Sequence, residues 1–446
     1  MSSRRSDHPA ASSDSGWRTT LLSNAPLPVL IALLIPLGWA VGSRAFGLYN
    51  ERIVMLVGFN IILAVSLQLI NGFSGQFSLG HAGFMAIGAY LAAYPAMTYS
   101  RQFHEPGVTL LFFLSLGLTV GIAGAVIGGL FVLLRQSRRL HRSAPGILLV
   151  LMLVWILADF AISANRPTPT LAIWTHGVAA LQRLFSALIG TGTAPAAKLS
   201  SALPSSIRQP ICFIILLLGG GTCAAAVGFI VGLPALRLRG DYLAIATLGF
   251  AEIIRIAIQN SPPLGGALGL TPIPKYTDFA WLYGCVIVTV VVIWRIAYSP
   301  KGRAIMAVRE DEIAAAAIGL NTTQYKITAF IIGAFFAGVA GALYALHERS
   351  ITPTSFGLQK SIELVVMVTL GGLGSISGAI LAAAVLTLLP EVLRPVEEYR
   401  MVIYSLLLVV MMLLRPQGLL GGWELWPARR GHVRAPSPTV AEPVPA

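Results

Sequence analysis

The residues that could carry chemistry are few, and one charged pair stands out. Glu252 and Arg255 lie three residues apart in the apolar run 241–260, so in a helix their side chains share one face. An unpaired charge inside a bilayer costs at least about 2.5 kcal/mol. We therefore expect the two side chains to pair with each other or to face an aqueous path. Both roles stay open, a structural pair between packed helices and a part of a substrate path or gate.

A second polar segment interrupts the helical pattern at residues 71–81. It contains Gly75, Gln76, Ser78 and His81. Unwound backbone at membrane depth is tolerated where it is buried in protein or lines a cavity, and such breaks contribute to ligand sites in transporters. The alternative is tight helix packing through small residues. His81 taken alone is more typical of a hydrogen-bonded packing residue than of a ligand.

The third candidate is the polar segment 299–326, which lies between two apolar runs. Pro300 favours a helix start and Gly319 a helix end, so a helix is predicted between them. Its charges can fix the register of a partner, and its alanines allow a partner backbone to approach. The segment is either a docking helix for a soluble partner or a plain connector between two spans.

Motifs of enzymes are missing from the sequence. There is no GxxxxGK[ST] phosphate loop, no HExxH, no GxSxG and no paired-carboxylate site. Cys212, Cys223 and Cys285 lie in apolar stretches and form no CxxC motif. We therefore predict no catalytic residues, no metal and no cofactor, and we expect any ATP hydrolysis to take place on another chain.

Composition indicates a membrane protein. Of 446 residues, 56% are hydrophobic and 11% charged, whereas soluble domains carry roughly 25% charged residues. The mean hydropathy is +0.77. These values exclude a soluble enzyme, a fibre and a nucleic-acid-binding domain for the chain as a whole. Lys and Arg total 31 against 18 Asp and Glu, and their positions beside apolar runs fit positive-inside topology.

The apolar runs predict an all-α polytopic membrane protein with about 12 crossings, in a range of 10–12, and with some segments re-entrant. The long run 361–393 is cut by Gly371–Ser375, which we interpret as a turn between two short crossings. The other runs fall at 26–42, 52–70, 79–99, 107–134, 145–164, 209–233, 241–260, 278–297, 325–347 and 400–414.

Basic clusters set the orientation and the domain boundaries. Arg and Lys follow the fourth, sixth and eighth runs and occur in the C-terminal tail, so both termini are predicted to be cytoplasmic. A transmembrane domain at 26–420 then holds an external insertion, 165–208, and a cytoplasmic loop, 299–324. The flanking segments 1–25 and 421–446 are predicted to be cytoplasmic tails, the second disordered.

Several long motifs resemble the permease of branched-chain amino acid ABC importers. They are NGFSGQFSLGHAGFMAIGAY (71–90), GLPALRLRGDYLAIATLGFAEIIR (232–255), SPKGRAIMAVREDEIAAAAIGLN (299–321), GALYAL (341–346) and ELVVMVTLGGLGSISGAILAA (363–383). They occur in the family order, and the resemblance as a whole covers roughly 45–134 and 209–420. LPALRLRGDYLAIATLGF resembles the M-type subunit in particular. The stretch 135–208 departs from the family, which runs more directly between the flanking spans.

The resemblance implies an ABC importer permease fold and a set of partners. These are a second homologous permease, two cytoplasmic ATPase subunits, a periplasmic binding protein and the lipid bilayer of the inner membrane. It implies ATPase docking by the third candidate segment, at Arg303, Arg309, Glu310, Asp311, Glu312, Ala314, Ala315 and Gly319. It also implies a translocation path or gate formed by Gly75, Gln76, Ser78, His81, Tyr242, Thr247, Glu252 and Arg255.

The resulting functional prediction is a permease subunit that works by alternating access driven by partner ATPases. Its substrates would be branched-chain amino acids, or related small neutral amino acids, urea or amides. Two rivals remain. A stand-alone ion-coupled secondary transporter would need its own coupling carboxylate, for which Glu252 is the candidate. A membrane scaffold without transport would tolerate changes in the docking segment.

Overall fold

The computed structural model describes residues 47–98, 205–236, 238, 240–394, 399–414, 418–420 and 424. The predicted spans 26–42, 107–134 and 145–164 lie outside these residues, as do the tail 1–25 and the insertion up to residue 204. The described α-helices, in chain order, are α1 (Gly47–Gln68), α2 (His81–Thr98), α3 (Ser205–Ala235), α4 (Asp241–Gln259), α5 (Phe279–Ala297), α6 (Pro300–Glu310), α7 (Glu312–Ala317), α8 (Thr322–Glu348), α9 (Leu358–Gly371), α10 (Ile376–Val392) and α11 (Arg400–Leu414).

Four described segments are long and apolar enough to cross a membrane. They are Tyr49–Phe73, Gln209–Ala235, Phe279–Ala297 and Thr322–Glu348. At 1.5 Å per residue each matches a hydrocarbon core of about 30 Å. The described residues form no strand, only an isolated bridge between Leu270 and Ile351. The fold is that of an all-α polytopic membrane protein, while the count of about 12 crossings stays a prediction.

The turn expected at Gly371–Ser375 is present. α9 ends at Gly371 and α10 begins at Ile376, and Gly372 and Gly374 adopt positive φ angles of 106° and 93°. α9 has 14 residues and is therefore about 21 Å long, shorter than a bilayer core. The two helices form a hairpin packed against α1.

Helix α8 occupies the centre of the bundle, where glycines let it approach its neighbours. A Cβ placed on Gly338 would lie 2.5 Å from the Cβ of Ala224 in α3, and a Cβ on Gly88 in α2 would lie 2.0 Å from the Gly338 carbonyl oxygen. Small residues at such contacts allow close backbone packing, which drives helix association in membranes. α2, α3 and α8 therefore form the rigid centre.

Helix α1 runs antiparallel to α8. Near one end of the pair the rings of Phe59 and Tyr344 meet edge to face, with centroids 5.7 Å apart. Near the other end a Cβ on Gly333 would lie 3.1 Å from the Ser66 carbonyl oxygen. The start of α1 therefore meets the end of α8, where Arg52 pairs with Glu348 at 3.1 Å. The end of α1 lies at the opposite end of the bundle, together with α6 and α7.

Candidate functional site

The predicted break in the helical pattern is observed between α1 and α2. α1 passes into a π-helical turn, Leu69–Phe73, and residues 74–80 are not helical. Gly75 has a φ of 68°, which favours glycine. The chain thus leaves α1 at the α6–α7 end and turns back into the bundle before α2 begins.

Helix α4 packs directly on the returning chain. The Leu79 amide donates to Thr247 Oγ1 at 3.1 Å, and Thr247 Oγ1 donates to the Ala244 carbonyl at 3.0 Å. A Cβ on Gly80 would lie 2.6 Å from the Thr247 carbonyl oxygen. The structure therefore brings the predicted path residue Thr247 against the break, at Leu79 and Gly80.

His81, the first residue of α2, is buried against α1. Its Nε2 lies 2.8 Å from Ser66 Oγ, and Ser66 Oγ also contacts the Leu63 carbonyl at 2.9 Å. A serine hydroxyl carries one proton. If that proton goes to Leu63, His81 Nε2 is the donor to Ser66. Sequence reasoning missed Ser66, whose signal was a polar residue inside the apolar run 52–70.

The break also buries amide groups that lack partners among the described residues. Both polar atoms of the Gln76 side chain and Nδ2 of Asn71 are buried without a hydrogen bond there. The Asn71 Oδ1 atom, by contrast, accepts from the Ser78 amide at 3.2 Å. Buried polar atoms without partners are costly and are usually matched by water, a ligand or another conformation. The break is thus a polar region inside an apolar bundle.

The predicted pairing of Glu252 with Arg255 is present. Arg255 Nε donates to Glu252 Oε2 at 2.7 Å, and Arg255 Nη1 donates to Gln259 Oε1 at 3.0 Å. The side chains are 32% and 23% exposed, so the pair lies at the edge of the described bundle. Tyr242, also a predicted path residue, is 72% exposed at the start of α4 and is not brought into the buried cluster.

A second charged pair was missed by sequence reasoning. Lys360 Nζ contacts Glu363 Oε2 at 3.1 Å and donates to Asn60 Oδ1 at 3.0 Å. Asn60 lies near the middle of the candidate span Tyr49–Phe73 and also donates to Thr387 at 2.8 Å. The signal available in the sequence was the i,i+3 spacing of Lys360 and Glu363.

The predicted single helix between Pro300 and Gly319 is wrong. α6 ends at Glu310, and Asp311 is extended, with φ −150° and ψ 109°. The Asp311 carboxylate accepts from the amides of Ile313 and Ala314 at 2.8 and 3.0 Å. Aspartate is a strong N-cap, so its side chain starts a new helix, α7, instead of continuing the first.

The predicted docking residues divide between the surface and the interior. Arg303, Glu310, Asp311, Ala314 and Gly319 are exposed, and Glu312 pairs with Lys326 at 2.8 Å. Ala315 is 3% exposed and so is turned away from any partner. Arg309 donates from Nη1 to the Gly72 carbonyl at 2.7 Å. Ile313 and Ile318, which sequence reasoning did not select, are each 76% exposed.

The described residues contain no group of three or more His, Cys, Asp or Glu side chains that could hold a metal ion. What the arrangement offers is a non-helical polar segment packed on a charged helix, and a separate polar segment at one end of the bundle. A model of the branched-chain amino acid transport system permease component matches residues 49–189 and 177–414. The chain belongs to this permease family. The resemblance seen in the motifs is thereby confirmed.

Permease proteins named LivM and LivH are similar to this chain. The high-affinity branched-chain amino acid transport system permease proteins LivM of Salmonella typhimurium and Escherichia coli are 42% identical over 235 residues. These matches cover 45% of this chain and 55% of each relative, so the chain spans about half the length of the curated relatives it matches. LivH of Escherichia coli is 35% identical over 133 residues, or 29% of this chain and 42% of LivH. No solved structure matches significantly.

Proposed function

We propose that this chain is the M-type permease subunit of an ATP-driven importer in the bacterial inner membrane. It moves branched-chain amino acids, or related small neutral amino acids, urea or amides, by alternating access, while separate subunits hydrolyse ATP. Membership of the permease family supports this function, and so does the similarity to the LivM proteins. The other partners are a second homologous permease and a periplasmic binding protein.

The observation that carries the proposal is the surface of α7. Ile313 and Ile318 are each 76% exposed, and the charged residues Glu310, Asp311 and Glu312 directly precede Ile313 in the sequence. Those charges keep the helix out of the hydrocarbon core. Burying an isoleucine side chain is worth about 1.5–3 kcal/mol, and capped helices at an exposed polar surface suit docking on a soluble protein. The partner we assign to this surface is the ATPase.

This assignment fixes the orientation of the permease. The loop 299–324 and both termini lie in the cytoplasm, with tails at 1–25 and 421–446, and the transmembrane domain spans 26–420. The insertion 165–208 lies in the periplasm. The path runs past the break and α4, where Ser78, His81 and Thr247 are buried and Glu252 and Arg255 lie at the edge of the bundle.

The ion-coupled alternative draws little support from Glu252. A coupling carboxylate must exchange its ion or proton, whereas Glu252 already accepts a 2.7 Å hydrogen bond from Arg255. Uptake by this chain alone, lost on Glu252→Gln, would restore that alternative. A scaffold without transport is opposed by the family match.

The docking role is tested with Ile313→Asp in the tagged chain, extracted in mild detergent from its host. The side chain is exposed, so folding is expected to be retained, and the charge should abolish recovery of the ATPase subunits. Leu268→Asp is the matched control, because Leu268 is 88% exposed in the loop between α4 and α5, at the opposite end. Equal ATPase recovery from both variants would overturn the proposed docking surface.

The substrate is tested in proteoliposomes that contain the assembled importer and its binding protein. Labelled leucine, a small neutral amino acid such as alanine, and urea are compared at equal concentration, with and without ATP. ATP-dependent accumulation of leucine is expected. Uptake of urea alone, or uptake that is independent of ATP, would contradict the proposed substrate class or the proposed energy source.

A further inference from the structure

Three segments of the chain meet at Arg309, near the end of α6. Arg309 Nη1 donates to the carbonyl oxygen of Gly72 at 2.7 Å. Gly72 is buried in the π-helical turn that follows α1. The arginine side chain keeps only 35% of its surface exposed. Its guanidinium therefore reaches from the docking segment to the bundle, while part of the side chain stays at the surface.

Glycines on both sides make room for this side chain. A Cβ on Gly75 would lie 2.8 Å from Arg309 Cγ, and a Cβ on Gly374 would lie 3.1 Å from Arg309 Nη1. Both glycines have positive φ, 68° and 93°, so each turn also needs glycine for its backbone. The arginine thus lies between the break before α2 and the turn between α9 and α10.

The break and the turn are also joined to each other. Gln68 Nε2 donates to the carbonyls of Gly372 and Ser375 at 2.8 and 3.1 Å. A Cβ on Gly72 would lie 2.7 Å from the Gly374 amide nitrogen. A displacement of α6 therefore acts directly on a small group of residues in contact with one another. Residues 75–81 connect this group to the segment that packs against α4.

We propose that Arg309 is a positioning residue that ties the docking segment to the helix break, and that it is not an ATPase contact. This inference rests on the proposed function. When the ATPases move α6, the Arg309–Gly72 bond moves the break, and with it the polar residues Gln76, Ser78 and His81. The contact with Glu310 is longer, at 3.5 Å between Nε and Oε1, and Glu310 is itself largely exposed, so it does not hold the guanidinium in place.

Arginine suits this position for a geometric reason. Its planar guanidinium presents several N–H donors in a fixed fork, whereas a lysine is a point charge on a flexible stem. Arg309→Lys keeps the charge and part of the reach, so it should retain part of the coupling. Arg309→Gln loses the charge and shortens the side chain, so the bond to Gly72 should be lost.

The experiment uses the assembled importer in proteoliposomes, with leucine uptake and ATP hydrolysis measured together. Arg309→Gln should keep its ATPase subunits and their hydrolysis, while uptake per ATP falls about tenfold, the size expected for loss of one charged hydrogen bond. Arg309→Lys should lie between this variant and the wild type. Arg303→Gln, at an exposed docking position, should weaken ATPase recovery without changing uptake per ATP. Arg295→Gln, an exposed arginine near the end of α5, should change neither.

A second measurement separates this inference from the proposed function. Hydrogen exchange of residues 69–81 in the isolated chain should quicken in Arg309→Gln, while exchange in α2 and α8 stays unchanged. Unchanged exchange at 69–81, unchanged uptake per ATP, or loss of the ATPase subunits from Arg309→Gln would each overturn the positioning role. If the wild type recovers no ATPase, the proposed function fails, and the exchange result still decides whether Arg309 holds the break.

Discussion

The contact between α3 and α8 allows a stability prediction with a defined geometric cause. In Gly338→Ala the new Cβ would lie 2.5 Å from the Cβ of Ala224 and 2.8 Å from the Gly220 carbonyl oxygen. Carbon atoms pack best at about 3.5–4.0 Å, so the two helices must separate by about 1 Å. Overpacking of this kind costs about 1–3 kcal/mol. Since backbone atoms face the new methyl group, rotamer changes cannot relieve it.

The matched control is Gly284→Ala in α5. Gly284 has no atom within 4 Å of an added Cβ, and alanine is up to about 1 kcal/mol better than glycine inside a helix. The Gly284 variant should therefore be as stable as the wild type or more so, and the Gly338 variant should melt several degrees lower. Gly220→Ala, whose nearest contact would be 3.0 Å, should fall between the two.

The assay is the fraction of monodisperse protein that survives a temperature series in detergent, followed by size-exclusion chromatography. The same series in lipid nanodiscs checks that detergent does not produce the difference. If Gly338→Ala and Gly284→Ala melt at the same temperature, the glycine contacts do not hold the centre together. The same conclusion follows if the melting temperatures of the three variants do not follow the distances from the added Cβ to its nearest atoms.

Three further predictions concern charged groups. Glu252→Gln and Arg255→Gln should each destabilise the folded protein by up to about 2–3 kcal/mol, because each leaves one charge without its opposite charge. The double variant should cost less than the sum, and additive melting shifts would refute the pairing. Asp311→Ala should lose about 1 kcal/mol of helix-capping energy and bind the ATPase more weakly, whereas Asp311→Asn should retain both the cap and the binding. Equal ATPase affinities of the two variants in a titration would contradict this. Burial raises the pKa of the Glu424 carboxyl above its ordinary value of 4.5, so its contribution favours folding at low pH and is lost as the pH rises through the raised pKa. Above pH 4.5, Glu424→Gln should therefore remove the part of the decline in melting temperature that ionisation of Glu424 causes. A pH profile identical to that of the wild type would contradict this contribution.

The apolar runs predicted most of the described helices. The runs 52–70, 79–99, 209–233, 278–297 and 325–347 correspond to α1, α2, α3, α5 and α8. Length and apolar content are enough for this, because a bilayer demands helices that satisfy their own backbone. The glycine turn near residue 372 was also predictable, since the polar and glycine residues there end the apolar pattern.

The prediction of one continuous helix between Pro300 and Gly319 was wrong for a local reason. Propensity favours helix across Pro300–Gly319, but Asp311 gains two backbone donors by capping a second helix. A single sequence does not decide between continuing and capping, because the same aspartate is compatible with both. The geometry after α6 therefore had to come from the structure.

The interior contacts of the candidate site could not be predicted from the sequence, for a different reason. His81 meets Ser66, Lys360 meets Asn60, and Arg309 meets Gly72. Each contact joins segments that are distant in sequence, and hydropathy carries no information on which polar residues face each other. Arg309 illustrates the limit, because its charge predicted a surface role, while its guanidinium also donates to the buried Gly72 carbonyl.

The hairpin of α9 and α10 has a consequence for biosynthesis. The Gln68 amide donates to carbonyls that are synthesised 304 and 307 residues later. The Asn60 amide donates to the Thr387 hydroxyl, which is synthesised 327 residues later. α9 is too short to enter the bilayer as an independent span, so it enters together with α10 and only then supplies these partners. Until α9 and α10 are inserted, the side-chain amides of Asn60 and Gln68 in α1 lack these hydrogen-bond acceptors in an apolar environment, where each unpaired amide is costly. The nascent chain therefore depends on its C-terminal part to complete the hydrogen bonds of its first described helix.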